Sequence, residues 1–285
     1  MLKNYNLVFD ADKHQYSLYE NATGEFYKHL LSTTQLMSKH GLSVDYGDVP
    51  LEILESARLF GDIQHKYLEH YLKGVRTIDE IDIVAREGIE LLESQGFTPF
   101  SSELKVYNMD YAGTIDMLAM KDDELVLMDF KFTYAFNHSS IRWQLNIYRR
   151  LLRENLHYEV KKLYSLWYNK KTSKFEIREI SLIDDSLIEE LFLAERKGEI
   201  FTDKQNNYMA IIDKDLKLDQ EMIKYFVAKE YFETIESQFN ILKDTIQDEM
   251  ENLGITNYET DKFKITRVLP SGTRAGHLRI MEKEK

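Results

Sequence analysis

The 285-residue chain contains no cysteine. Disulfides, thiolate zinc sites and cysteine-ligated iron–sulfur clusters are therefore excluded, and any bound metal must be held by oxygen or imidazole. There are three prolines, Pro50, Pro99 and Pro270, and no Ser/Gly-rich run, which leaves no sign of a flexible linker or low-complexity tract. No internal repeat is evident. No stretch approaches the roughly 18 apolar residues of a membrane span, and the apolar run within residues 1–10 is too short for a signal peptide. The expectation is a soluble, cytoplasmic protein with no membrane partner. Positive charge is also scarce: the net charge is −12, which argues mildly against a protein that coats nucleic acid. Residues 131–180 depart from that average, with eleven Lys or Arg against four acids, so this segment is +7 and the remainder −19. An acidic body with one basic face suits a protein that admits a polyanion at a single groove. A charged surface strand and helix accounts for the same count.

What is present is enough apolar sequence, 43%, for one large core with additions. Residues 1–50 read as an N-terminal hairpin region, 51–200 as the main core and 201–285 as a helical extension with a basic tail. Turn residues at 10–13 and 20–24 separate short strands over 5–34, after which Ser32 or Thr33 can cap a short helix. A helix is expected over 51–72, with Gly61, His65, Leu68 and Leu72 on one stripe, and a second over 78–95, stopped at Gly96. Three strands follow over 101–107, 111–120 and 124–132, then an amphipathic helix over 139–155, a strand pair at 162–168 and 174–180, and a helix over 183–197. A long helical pattern covers 219–253, before Gly254. The fold class implied is α/β (α+β): a central mixed β-sheet flanked by helices, with an N-terminal hairpin and a long C-terminal helix.

Between Gly61 and Tyr148 the chain sets out Gly61-x-x-x-His65, Glu103, Gly113-Thr-Ile-Asp116, Asp129-Phe-Lys131 and Gln144-x-x-x-Tyr148. Asp-x-Lys alone says little, since Asp215-Leu-Lys217 repeats it without comparable surroundings. Asp129 and Lys131 end an apolar strand, where a carboxylate and an ammonium are costly unless paired or metal-bound. Asp116 offers a second acid inside another apolar run. Alternation along strands puts Asp129 with Lys131 on one face, Glu103 with Lys105, and Asp116 with Thr114. If those faces coincide, three carboxylates and a lysine meet. Read singly, His65 is a satisfied core histidine, Gln144 a core polar group and Tyr148 a packing side chain.

The ordered set resembles the PD-(D/E)XK nuclease superfamily, in particular its RecB-like and lambda-exonuclease-like branches, over about residues 55–155. The opening residues 9–16, residues 31–35, and the long helix followed by Phe263-Lys-Ile-Thr-Arg267 are similar to YqaJ-type viral recombination exonucleases. The resemblance implies a restriction-endonuclease-like core and a metal-dependent DNA exonuclease. In that reading Asp116, Asp129, the Phe130 carbonyl and His65 bind Mg²⁺ or Mn²⁺, and Mn²⁺ tolerates the imidazole better. It further implies that Lys131 orients and helps deprotonate the attacking water, Glu103 assists, Gln144 positions Lys131 or the water, and Tyr148 contacts a phosphate. DNA, and duplex ends in particular, is the implied partner, with a single-strand annealing protein and a homo-oligomer, a trimer in lambda-exonuclease-like relatives. The four-cysteine iron–sulfur staple of some RecB-like nucleases is impossible here. Two other readings stand beside this one: a structure-specific or restriction-like endonuclease, and a catalytically silent module that binds host DNA machinery.

Overall fold

Turns rich in Asp, Asn and Gly cut the N-terminal alternation into β1 (Tyr5–Asp10), β2 (Gln15–Glu20) and β3 (Phe26–Ser32), paired antiparallel in order. These coordinates are a computed structural model, which describes residues 4–11, 13–44, 51–202, 225, 229, 232, 236, 239–269 and 277–282. Ser32 ends β3 and opens α1 (Thr33–Lys39) through a capping box. Its Oγ accepts from the Gln35 amide at 3.1 Å while Gln35 Oε1 accepts from the Ser32 amide at 3.0 Å.

The expected helix over 51–72 is α2 (Leu51–Leu72). The helix expected over 78–95 is shorter: one 3-10 turn covers Ile78–Glu80 and α3 spans Ile83–Ser94. Asp82 supplies the reason. Its Oδ1 accepts from the Val84 amide at 2.9 Å and from Gln64 Nε2 at 3.1 Å, so one carboxylate caps α3 and ties it to α2. Then come β4 (Thr98–Tyr107), β5 (Tyr111–Lys121), β6 (Glu124–Thr133), α4 (His138–Leu156), β7 (Lys162–Asn169), β8 (Lys174–Ile180) and α5 (Asp185–Lys197). α5 begins at Asp185 rather than 183 because Asp184 caps it, its carboxylate accepting from the Ser186 amide at 2.8 Å.

These strands form one eight-stranded mixed sheet in the order β1-β2-β3-β5-β6-β7-β8, with β4 on β5. The β3–β5 and β6–β7 pairs are parallel and the others antiparallel. One core joins α1, α4 and α5 to the sheet through residues such as Leu36, Leu145, Ile188 and Leu127; another joins α2 and α3 to it through Leu68, Ile89 and Met128. The molecule is thus α+β, a large mixed sheet flanked by helices, as the sequence implies.

The sheet forks at its centre. β5 pairs with β6 only from Met117 to Lys121 and with β3 only at Tyr111 and Ala112, so among the described residues 113–115 have ladder partners in β4 alone and Asp116 has none. Side-chain alternation also slips there: Ile115 belongs to the α4-side core and Met117, two residues on, to the α2-side core. Across the ladder from Asp116, between the pairs Ser102↔Met117 and Leu104↔Ile115, stands Glu103 with a left-handed backbone (φ 52°). A non-glycine residue in that conformation is strained. The irregularity turns Asp116 and Glu103 out of the regular pleat.

Much of the positive charge of 131–180 is engaged inside the fold. Arg149 and Arg153 each meet Asp185 at 2.7 Å, and Arg150 pairs with Glu154 and, at 3.1 Å, with Glu189. For these arginines the charge excess serves to join α4 to α5.

Two compact units make up the chain, Met1–Val227 and Ala228–Lys285. In the second, residues 239–252 are helical and β9 (Asn257–Glu259), β10 (Phe263–Val268) and β11 (His277–Glu282) form an antiparallel sheet in the order β11-β10-β9. The sequence reading expected a helical extension and a tail, not this sheet. Of 219–238 only positions 225, 229, 232 and 236 are described, each helical, and the rest of that expectation lies outside the described residues. No helix among the described residues is long and apolar enough to cross a membrane.

Candidate metal centre

The fork between β5 and β6 is closed by a side chain. Asp116 Oδ2 accepts from the Phe130 amide at 2.6 Å, replacing the missing ladder bond where the two strands part. From the α2 side, His65 Nδ1 lies 3.8 Å from Asp116 Oδ2, too long for a hydrogen bond, and its ring packs beside those of Phe130 and Phe132 at 5.9 and 5.4 Å. One ligand-type atom each from His65, Glu103 and Asp116 lie within 4.8 Å of one another. Next to them, Asp129 is 2% exposed and Lys131 Nζ lies 2.9 and 2.8 Å from its two oxygens.

Burial governs the proton affinities. It lifts Asp116 and Asp129 to about 6, against partial relief by Lys131 in both and by the Phe130 amide at Asp116. Glu103 rises to about 7, first through burial and then through the charges of Asp116 and Glu69. His65 falls to about 4 because burial, reinforced by Lys131, disfavours its cation. The neutral imidazole is the form that ligates a metal. Three carboxylates with raised proton affinity around a neutral histidine make a site where a cation competes with protons. The donors are oxygen and imidazole only, a set that fits Mn²⁺ or Mg²⁺ and gives thiophilic metals no advantage.

α4 completes the wall. Gln144 Nε2 donates to Tyr148 Oη at 3.2 Å, and Tyr148 is buried, which raises its phenol well above the ordinary range and keeps it a donor. Its ring lies over Gly113 of β5, where a Cβ would come within 2.3 Å of Tyr148 Cε1. The Gly-x-x-Asp spacing thereby acquires a physical meaning: the glycine admits the tyrosine from the α4 side, and the aspartate three residues later, on the other side of the strand, faces the histidine.

Every singled-out residue, His65, Glu103, Asp116, Asp129, Phe130, Lys131, Gln144 and Tyr148, lies in this region. The grouping differs in detail from the implied ligand set. Glu103 joins His65 and Asp116 in the tight triple, Asp129 is engaged with Lys131, and Phe130 gives its amide to Asp116. Sequence reasoning missed two sets of neighbours. On one side Tyr16, its hydroxyl 2.8 Å from Thr114 Oγ1, with Ser32, Thr33 and Thr34, borders a cavity of about 240 Å³ that reaches Glu103 and Tyr148. On the other, Arg58, Tyr134 and Lys170 border a cavity of about 410 Å³ that reaches His65 and Lys131. The serine–threonine run at 32–34 was a legible signal for the first; nothing local marked the second.

No family model and no curated protein matches the chain. Among solved structures it is similar to SSO0001, at 14% identity over 60% of this chain and 76% of that one, with a TM-score of 0.34. A likeness of that size carries no argument about function.

Proposed function

We propose that the chain is a metal-dependent deoxyribonuclease of the PD-(D/E)XK type, acting in the cytoplasm on phosphodiester bonds at duplex DNA ends, in phage recombination or replication. The observation that carries this reading is the meeting of His65, Glu103 and Asp116 within 4.8 Å beside the buried Asp129–Lys131 pair. A structural ion pair would need Asp129 and Lys131 alone; it gives no reason for a histidine and two further carboxylates with raised proton affinity at the same spot.

His65, Asp116 and Glu103 would hold the cation, with Asp129 adjoining. When bound, Mg²⁺ or Mn²⁺ supplies charge neutralisation at the phosphate and activation of water as a nucleophile. The protein's own groups do the rest. Asp129 fixes the Lys131 ammonium, which orients the attacking water and offsets negative charge building on the phosphoryl oxygens. Glu103 would take a proton from that water through the carboxylate oxygen not engaged with the cation. The water oxygen bonds to phosphorus, the bridging oxygen leaves and takes up a proton, and a phosphate monoester and an alcohol result. Tyr148, held by Gln144, donates to a phosphate oxygen.

End-labelled duplex DNA with Mg²⁺, Mn²⁺ or EDTA, beside a closed circle, tests the proposal. Metal-dependent release of nucleotides from linear DNA with the circle intact is expected. Cutting of the circle would redirect the reading to an endonuclease, and no cutting in either metal would end it.

A further inference from the structure

α2 carries Gly61 in its interior, where glycine costs a helix about 0.5–1 kcal/mol relative to alanine. Neither common reason for a glycine applies. Its φ is not positive, and a Cβ built there would meet nothing within 4 Å. What the missing side chain leaves open is the cavity of about 410 Å³ between α2 and the end of β6. That volume lies in the range that holds a small organic ligand, roughly 300–1,000 Å³.

The cavity's chemistry is divided. Leu54, Ala57, Phe132 and Tyr134 give it an apolar and aromatic wall, while among the described residues its charged lining consists of Arg58, Lys170, Asp62 and Lys131, the last paired with Asp129. The cations are placed by the fold. Lys170 follows β7 directly; its amide donates to the Thr133 carbonyl at 3.1 Å, and its ammonium sits 4.5 Å from the Phe60 ring and 5.7 Å from that of Tyr134. Trp167 Nε1 donates to the same Thr133 carbonyl at 3.1 Å and to its hydroxyl at 3.0 Å, fixing the end of β6 against β7. His65 and Lys131 line this cavity and belong also to the candidate metal centre, so an occupant here adjoins that centre.

We propose that this cavity receives the nucleoside next to the scissile phosphate, its base against the Phe132–Tyr134 wall and its flanking phosphates met by Arg58, Lys131 and Lys170. The inference rests on the nuclease reading of the adjoining site and extends it to substrate recognition. A flat aromatic group bearing negative charge on both sides is the ligand that such a wall and such cations recognise together. A base held in this way has left the duplex stack, so the protein engages an unpaired nucleotide, and the terminal base pair opens before the bond is cut.

Gly61→Leu tests this, because it fills the cavity from a helical position where a Cβ meets no neighbour. Binding of deoxyadenosine 5′-monophosphate, 2-deoxyribose 5-phosphate and inorganic phosphate to the full chain is measured for the wild type and the variant, with melting temperatures. The wild type is expected to prefer the nucleotide over the sugar phosphate by about ten-fold or more, the usual strength of base–aromatic contact. Gly61→Leu should abolish that preference and leave phosphate binding unchanged. Tyr134→Leu, which keeps an apolar wall without the ring, should reduce it too and serves if Gly61→Leu does not fold. Equal binding of nucleotide and sugar phosphate by the wild type, or a preference that survives in a folded variant, overturns the inference. The two proposals fail separately. A chain that shows the base preference and cuts no DNA keeps the pocket and loses the nuclease reading, whereas one that cuts DNA with no base preference loses the pocket.

Discussion

Gly113 and Tyr148 compete for one volume: a Cβ on Gly113 would lie 2.3 Å from Tyr148 Cε1 and 3.1 Å from Thr33 Oγ1. The glycine is required by its neighbours and not by its backbone, whose φ is not positive. Gly113→Ala must therefore push the Tyr148 ring away from β5 and loosen its bond from Gln144. Overpacking of this kind costs typically 1–3 kcal/mol. The expected result is a melting temperature lower by several degrees, at about 2–4 °C per kcal/mol for a domain of this size, together with weaker DNA cleavage. An unchanged melting temperature would show that the ring is not held where it now lies.

Much of this architecture was legible because its signals are local. The turns at 108–110 and 121–123, the alternation of β4 to β6 and the stripe of α2 follow from short-range steric and burial preferences. Asp116, Asp129 and Lys131 could be named because an acid or lysine inside an apolar strand is costly and must have a partner, whereas His65, Glu103, Gln144 and Tyr148 stood out only through the ordered set and its resemblance. What could not be read is tertiary. The left-handed backbone of Glu103 and the change of face between Ile115 and Met117 answer to the fork in the sheet, which no strand specifies alone. The helix expected from residue 78 gives way because Asp82 finds Gln64 on α2, a contact eighteen residues distant. Arg58 and Lys170 come together only after β7 has paired with β6.

Asp116→Asn and Lys131→Met each remove one charge while keeping shape and stem. Metal-dependent cleavage by either should fall by about 10²-fold or more, the usual cost of losing a group that stabilises developing charge. Far-ultraviolet circular dichroism should stay that of the wild type, since Asn keeps an oxygen to accept from the Phe130 amide, and Asp129 takes up a proton when Lys131 is gone. Cleavage within a factor of two or so of the wild type in either variant would remove that residue from the chemistry.

Proton linkage gives a second handle. Asp116 and Asp129 are raised from 3.8 to about 6 and Glu103 from 4.5 to about 7. Between those limits the folded chain binds more protons than the unfolded one, so these groups cost nothing below about pH 4 and destabilise progressively as pH rises to about 7. A dication reverses the cost where the carboxylates are ionised. The increase in melting temperature on adding Mn²⁺ should thus be larger at pH 8 than at pH 5, and it should vanish in Asp116→Asn/Asp129→Asn. An increment that is the same at both pH values, or that survives in the double variant, places the bound ion elsewhere.

His40 and His65 should separate structure from chemistry. The His40 side chain is fully buried, its Nδ1 accepts from the Phe201 amide at 3.0 Å, and Nε2 therefore carries the hydrogen that it donates to Glu195 Oε2 at 3.0 Å. Replacing it by alanine strands a buried amide, at about 1–3 kcal/mol, and reaches no atom of the metal centre. His65 has a neutral ring hydrogen-bonded to the Phe130 backbone and to neither carboxylate of the triple, so His65→Ala should lower the melting temperature less than His40→Ala. Its loss should instead raise the Mn²⁺ concentration needed for half-maximal cleavage by about ten-fold or more, as happens when groups around a metal are removed. His40→Ala should show the reverse pattern, lower melting with unaltered metal dependence. If both variants lose stability and neither changes the metal requirement, His65 is a core histidine and the metal must be held by carboxylates alone.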